Sequence, residues 1–317
     1  MSELKIPASV PPSRAAEYRN NYHYLTGGQG RLLLIAGDQK VEHLNADFYG
    51  AGISPDDNDP EHLFKIAAAS HGGVLATHLG LISRYGRDYR SLPYIVKLNG
   101  KTNIGPDDEK NSSSLWWTVA DIIKFKKSSG LNIVGVGYTL YLGGKYEAKM
   151  LSVCASAVYE AHQAGLTAIL WIYPRSKNIK EEEISTIAGA AGVAAALDAD
   201  FVKLKYPYAA KDKAAAAKRF KEVIGAAGRT KVICVGGAKR PAPVLLADLE
   251  RQIKISGTSG LAMGRNLHQR SLEEATRLTA ALGAVIFHNK SLPEALAIYS
   301  GTVKSAKPKT GRFLGIF

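Results

Sequence analysis

From Leu32 onward, short apolar runs rich in β-branched residues alternate with longer, alanine-rich amphipathic segments. Such alternation marks parallel strands joined by crossover helices. Eight runs are predicted as strands: LLLIAG from Leu32, GVLATH from Gly73, YIVKLN from Tyr94, NIVGVGY from Asn132, TAILWIYP from Thr167, DFVKLKYP from Asp200, TKVICVGG from Thr230 and SGLAMGR from Ser259. Their starts lie 21 to 41 residues apart, close to the roughly thirty residues that a strand and its crossover helix need. Eight units of this kind predict a closed (β/α)8 TIM barrel. The rival architecture, an open doubly wound sheet, usually carries a glycine-rich fingerprint after its first strand. Here the corresponding stretch reads GDQKVEHLN, so the barrel is favoured.

Helices are expected over 147–164, 181–197, 210–227 and 243–255, with Glu181, Glu182 and Glu183 at one helix start, where the dipole favours acids. Two long connections, 41–60 with its SPDDNDP turn and 99–114, leave the C-terminal ends of strands one and three. Barrel active sites are built at that end. The chain is expected to form one barrel domain, with extensions at about 1–30 and 300–317 that read as solvated or subunit-contacting arms.

Composition narrows the class. Over 317 residues, 46% hydrophobic and 22% charged side chains suit a globular protein and exclude a disordered or collagen-like chain. Lys plus Arg number 41 against 28 Asp plus Glu, and 41 minus 28 gives +13, a field that attracts anions. The basic residues are dispersed among acids, without the runs that mark nucleic-acid modules, so small phosphorylated metabolites lead as partners. Non-catalytic polyanion binding stays as the alternative from another class. Cys154 and Cys234 sit in apolar segments, which suits buried thiols in a reducing compartment. No run approaches the ~18 apolar residues of a membrane span and no signal core opens the chain, so a cytoplasmic protein without membrane contact is expected. The eight histidines show no HxH or HExxH spacing and the cysteines no CxxC, so no metal is expected. His43, just after strand one, is retained as a residue of the barrel mouth.

Charged and polar residues near strand ends carry the candidate chemistry: Asp38, Lys97, Trp171 with Tyr173, Lys203 with Lys205, and Gly264 with Arg265. Side chains two apart share a strand face, but parity alone does not say which face points inward. Lys203 is the sharpest anomaly, an ammonium among Phe201, Val202 and Leu204. Desolvation and a neighbouring cation such as Lys97 or Lys205 would expose its amine as a nucleophile, whereas a lysine snorkelling from a strand end is the common alternative. Tyr173 offers an acid or base and Asp38 a carboxylate to orient hydroxyls. Gly236, Gly237, Gly264 and Arg265 follow strands seven and eight, where barrels often cradle phosphate, although turn glycines and a surface arginine would look the same.

Six stretches, DQKVEH (38–43), VKLNGKT (96–102), LWIYPR (170–175), ADFVK (199–203), VGGAKRP (235–241) and GLAMGRN (260–266), resemble in order the archaeal-type and bacterial class I fructose-1,6-bisphosphate aldolases. The likeness spans about 30–270. It implies a metal- and cofactor-independent lyase of glycolysis and gluconeogenesis in which Lys203 forms the Schiff base, Tyr173 is the acid/base and Asp38 acts on a substrate hydroxyl. Trp171, Lys97, His43, Gly236, Gly237, Gly264 and Arg265 are then the expected substrate contacts. It also implies a homo-oligomer, decamers among the forms. Two departures stand out: Lys40 replaces the usual small residue after DQ, and GGAKRP brings Lys239 and Arg240 to the cradle loop. Similar relatives that work on other phosphorylated substrates include an aldolase-like synthase of an aromatic-acid route and a thiolase for a quorum signal.

Overall fold

The structure, a computed structural model, describes residues 4–106, 109–176 and 179–303. Most of the C-terminal extension, from 304 onward, lies outside the described residues. Eight parallel strands close into a barrel: β1 (Leu32–Ala36), β2 (Gly73–His78), β3 (Tyr94–Lys97), β4 (Ile133–Leu142), β5 (Thr167–Pro174), β6 (Phe201–Leu204), β7 (Lys231–Val235) and β8 (Gly260–Met263). All eight predicted runs supply one strand each, and β1 pairs with both β2 and β8. Closure is tight at Gly260, whose φ of +141° suits glycine and where a Cβ would stand 1.9 Å from the Leu32 carbonyl oxygen.

The period of two divides the core into two layers. Leu32, Leu34, Val74, Ala76, Ile95, Ile169, Phe201, Ile233 and Ala262 fill the barrel interior. Leu33, Ile35, Leu75, Val96, Leu170 and Val202 face the surrounding helices. Continuing the inner series upward places Lys97, Trp171, Tyr173 and Lys203 inside, which settles the parity that the sequence leaves open. A register irregularity between β3 and β4, at Tyr94/Ile95, shifts the phase of β4. Val134 belongs to the inner layer below it, and Tyr141 reaches the mouth above it.

Helix boundaries depart from the expected ones for local reasons. The helix expected over 181–197 runs Ile184–Ala196 with Glu183 at its N-cap, and Glu181 instead pairs with Arg175 and Lys205. The stretch 210–227 breaks into Lys213–Arg219 and Lys221–Ala227 at Phe220, a fully buried ring 4.8 Å from that of Tyr206. The helix Ala242–Arg251 ends in a wider π-type turn, Gln252–Ser256. A small antiparallel ribbon, Asn99–Gly100 with Ser114–Leu115, forms in the second long connection. Both cysteines are buried and free. Among the described residues no helix is long and apolar enough to cross a membrane.

The N-terminal stretch is not a solvated arm. Its helix Ala15–Thr26 packs against the barrel: Leu25 joins the interior layer, the Tyr22 ring lies 5.9 Å from that of Phe201, and Asn21 donates to the Gly165 carbonyl at 2.7 Å. Buried His162 ties this floor together, 2.8 Å from the Ser9 hydroxyl, 3.2 Å from Asp198 and 3.1 Å from Asp200. Burial alone would lower the His162 pKa, but the two carboxylates prevail and raise it. A raised folded-state value stabilises fully below the ordinary value of about 6.5 and less as pH climbs through the folded-state value. We therefore expect His162→Ala to lower unfolding free energy by about 3 kcal/mol at pH 6. Urea titrations should show that deficit shrinking toward pH 9, and a pH-independent deficit would count against a charged His162.

Candidate active site

At the C-terminal ends of the strands the mouth opens into a cavity of about 460 Å³. Asp38, His43, Tyr173, Lys203, Gly236, Gly237, Gly264 and Arg265 all line it, so the structure brings together most of the residues singled out from the sequence. Lys203 rises from β6 between Val202 and Leu204 and is 5% exposed, with its ammonium 5.5 Å from the Trp171 ring. Burial lowers its pKa; Asp38 and Glu42 oppose that and Arg265 adds to it, for a net downward shift. The reading of Lys203 as a snorkelling surface lysine is thereby excluded.

Two expected substrate contacts lie beneath the cavity. Lys97 is fully buried, 3.9 Å from the Trp171 ring and 3.7 Å from the Asp38 carboxylate, and donates to the Thr139 hydroxyl. Neither Lys97 nor Trp171 is part of the lining. Burial brings the Lys97 pKa down to about 8, so its charge persists near neutrality. That charge matters to Asp38: burial would raise the carboxyl, but Lys97, then Lys203 and His78, hold it below its ordinary value. Asp38 is therefore a buried anion at the wall of the cavity. Lys205 does not act on Lys203 as a neighbouring cation; it ion-pairs with Glu181, which also accepts from Arg175 at 2.6 Å.

Tyr173, half-buried on β5, stacks at 5.8 Å and 25° on Tyr141 of β4, and the Arg175 guanidinium lies 4.8 Å from its ring. Burial first, then the charges of Glu42 and Asp38, hold its phenol well above the ordinary range. It stays protonated and can donate. Across the cavity, Asn266 donates to the carbonyls of Gly236, Gly237 and Ala238 at 3.0, 3.2 and 2.9 Å, which fixes the loop after β7. The Gly236 N–H is used by Ala262, while those of Gly237 and Ala238 have no acceptor among the described residues. A Cβ on Gly264 would stand 2.1 Å from the Gln39 amide nitrogen, so any larger residue there would push the Gln39 side chain aside. Arg265 is one-third exposed and lies 3.7 Å from Asp47, which also pairs with His43.

Lys239 and Arg240 brace the loop after β7 without lining the cavity: Lys239 donates to the carbonyls of Gly52 and Gln269, and Arg240 pairs with Asp248 at 2.7 Å while its backbone N–H donates to Asn266 at 2.8 Å. Sequence reasoning missed Gln39, Glu42, Tyr141 and Arg175, which also line the cavity. Glu42 carried a usable signal, since it stands one helical turn after Asp38.

A desolvated lysine, a protonated phenol and an ionised carboxylate converging at the mouth of a (β/α)8 barrel define an imine-forming carbon–carbon lyase. The comparisons agree. A family model described as DeoC/LacD family aldolase matches residues 32–270, and the chain belongs to that family. It is 49% identical over 95% of its length, and 96% of the other protein's, to the fructose-bisphosphate aldolase/6-deoxy-5-ketofructose 1-phosphate synthase of Methanocaldococcus jannaschii. Among solved structures, the fructose-bisphosphate aldolase from Slackia heliotrinireducens superposes with a TM-score of 0.91 at 47% identity, covering 96% of both chains. An archaeal fructose-1,6-bisphosphate aldolase with its catalytic Lys covalently bound to the carbinolamine intermediate superposes with a TM-score of 0.71 at 28% identity, covering 85% of this chain and 99% of that one.

Proposed function

We propose that this protein is a class I aldolase that reversibly cleaves fructose 1,6-bisphosphate to dihydroxyacetone phosphate and glyceraldehyde 3-phosphate. The observation that carries the reading is the 5%-exposed Lys203 amine opening into the same cavity as Tyr173 and Asp38. Lys203 attacks the C2 ketone, and the carbinolamine oxygen leaves as water with a proton from Tyr173. Asp38 takes the C4 hydroxyl proton as the C3–C4 electrons flow into the iminium. The aldehyde departs, the proton taken up by Asp38 is passed on to C3 of the enamine, and addition of water to the resulting imine releases the second product. The protonated imine is the electron sink, so the chemistry runs without a cofactor.

Two groups of cations and donors in the cavity lining suit the two phosphates of the substrate. Gly237 and Arg265 bring donors to the lining from the loops after β7 and β8, and Arg175 and Lys205, both paired with Glu181, bring cations to it from the ends of β5 and β6. Removing the Arg265 guanidinium should cost about 1.5–3 kcal/mol of phosphate binding. Arg265→Ala is expected to raise KM roughly 10-fold or more with kcat changed little. A lowered kcat at unchanged KM would move Arg265 from binding to chemistry.

A coupled assay with fructose 1,6-bisphosphate should yield both triose phosphates in equal amounts, unaffected by chelators; absence of cleavage would reject the substrate. The double name of the Methanocaldococcus jannaschii relative makes synthesis of 6-deoxy-5-ketofructose 1-phosphate the second reading. The same imine chemistry would serve it, and product analysis separates the two. In this reading the whole chain works as one barrel domain, in the cytoplasm, within glycolysis and gluconeogenesis. It assembles as a homo-oligomer, a decamer in the fullest form.

A further inference from the structure

Tyr173 needs help to move protons. To expel the carbinolamine hydroxyl it must surrender its own proton, yet burial and nearby carboxylates make a lone phenolate costly in this cavity. The phenol therefore requires a second group that refills it as it donates. Three carboxyls line the cavity, Asp38, Glu42 and Glu182. Asp38 is held as an anion by Lys97 at 3.7 Å and so has no proton to return, and Glu182 is exposed at the rim. Glu42 is partly buried, ends the short helix Gln39–Glu42 and shares the lining with Tyr173 and Lys203. Among the described residues its carboxyl makes no hydrogen bond and no ion pair, so it is free to exchange a proton.

The groups around it define its proton state. Asp38 stands one helical turn before it and His43 next to it, Lys97 and Lys203 come from β3 and β6, and Lys101, Tyr141 and Tyr173 also sense its charge. Arg175 faces Tyr173 from the far side. Burial and then the Asp38 anion favour the protonated acid, against the two buried lysines and His43.

We propose that Glu42 is the proton partner of Tyr173, returning a proton to the phenol oxygen through one water as the phenol protonates the departing hydroxyl. The C2–O bond breaks, the oxygen leaves as water, and the nitrogen lone pair forms the C2=N bond. The phenol is restored and the Glu42 carboxyl is left as carboxylate. When water adds to the product imine, the proton returns by the same route, so Glu42 ends the cycle as it began. No atom changes oxidation state. Glu42 is thus a positioning residue for protons that acts through Tyr173, and the inference rests on the roles given above to Tyr173 and Lys203.

A double-mutant cycle tests this, read as the rate of borohydride-trappable imine formation with dihydroxyacetone phosphate. Glu42→Gln should slow imine formation roughly 10-fold or more when Tyr173 is present, toward the lower end of acid/base effects, and should change it little in a Tyr173→Phe background. The wild-type rate should fall on the alkaline side as Glu42 loses its proton, and that limb should vanish in Glu42→Gln. Glu42→Ala, run beside it with thermal midpoints, should reproduce the rate loss in a folded chain. Effects that multiply with Tyr173→Phe, an unchanged rate, or a retained alkaline limb would each overturn the inference while leaving Lys203 as the nucleophile. Labelling of another lysine in the wild type would instead overturn the site reading and this inference with it.

Discussion

Lys203→Met should lose essentially all cleavage activity, a fall on the order of 10⁴-fold or more, because it removes the nucleophile instead of weakening a contact. The same substitution should not harm the fold. Lys203 is 5% exposed in a strand of Phe201, Val202 and Leu204, each at most 1% exposed. Exchanging a buried ammonium for a thioether of similar reach relieves desolvation. The Asp38 anion keeps its ion pair with Lys97, so no buried carboxylate is stranded. Activity by coupled assay and the thermal midpoint should therefore move apart, with activity lost and the midpoint held or raised. Loss of both together would mean that Lys203 serves packing more than chemistry.

Tyr173→Phe should lower turnover by about 10²-fold or more, the scale of a general acid/base group. The ring remains to stack on Tyr141 at 5.8 Å and to meet the Arg175 guanidinium at 4.8 Å, so the loss reports the hydroxyl alone. Lys203 keeps its own surroundings, and an imine should still form, more slowly. Time courses of borohydride trapping measured beside steady-state turnover distinguish this from a disrupted site. Full turnover in Tyr173→Phe would remove the phenol from the mechanism.

The strands were readable because each is a short, continuous apolar run set between longer amphipathic segments, and all eight runs fold as strands. Lys203 was readable for the same reason: an ammonium inside such a run needs an explanation. The pattern could not place Lys97 and Trp171 beneath the cavity, since the height of a residue within a barrel depends on strand stagger. Tyr141 was hidden by the irregularity that shifts the phase of β4, which makes simple alternation point it to the wrong face. Arg175 and Glu181 were invisible as a pair because their meeting depends on the path of the loop after β5. The N-terminal helix looked like an arm because its anchors, Asn21 on Gly165 and Leu25 in the interior, are contacts with distant parts of the chain. Local signals located the elements and the strongest chemical anomaly; the partners of each charge needed three dimensions.

The central claim is that the Lys203 amine forms the imine. Its most direct test is borohydride reduction of the wild-type protein with dihydroxyacetone phosphate, followed by peptide mass mapping. One adduct per chain on Lys203, absent from Lys203→Met, is the expected result. An adduct on Lys97 or Lys205, or no adduct at all, would contradict it.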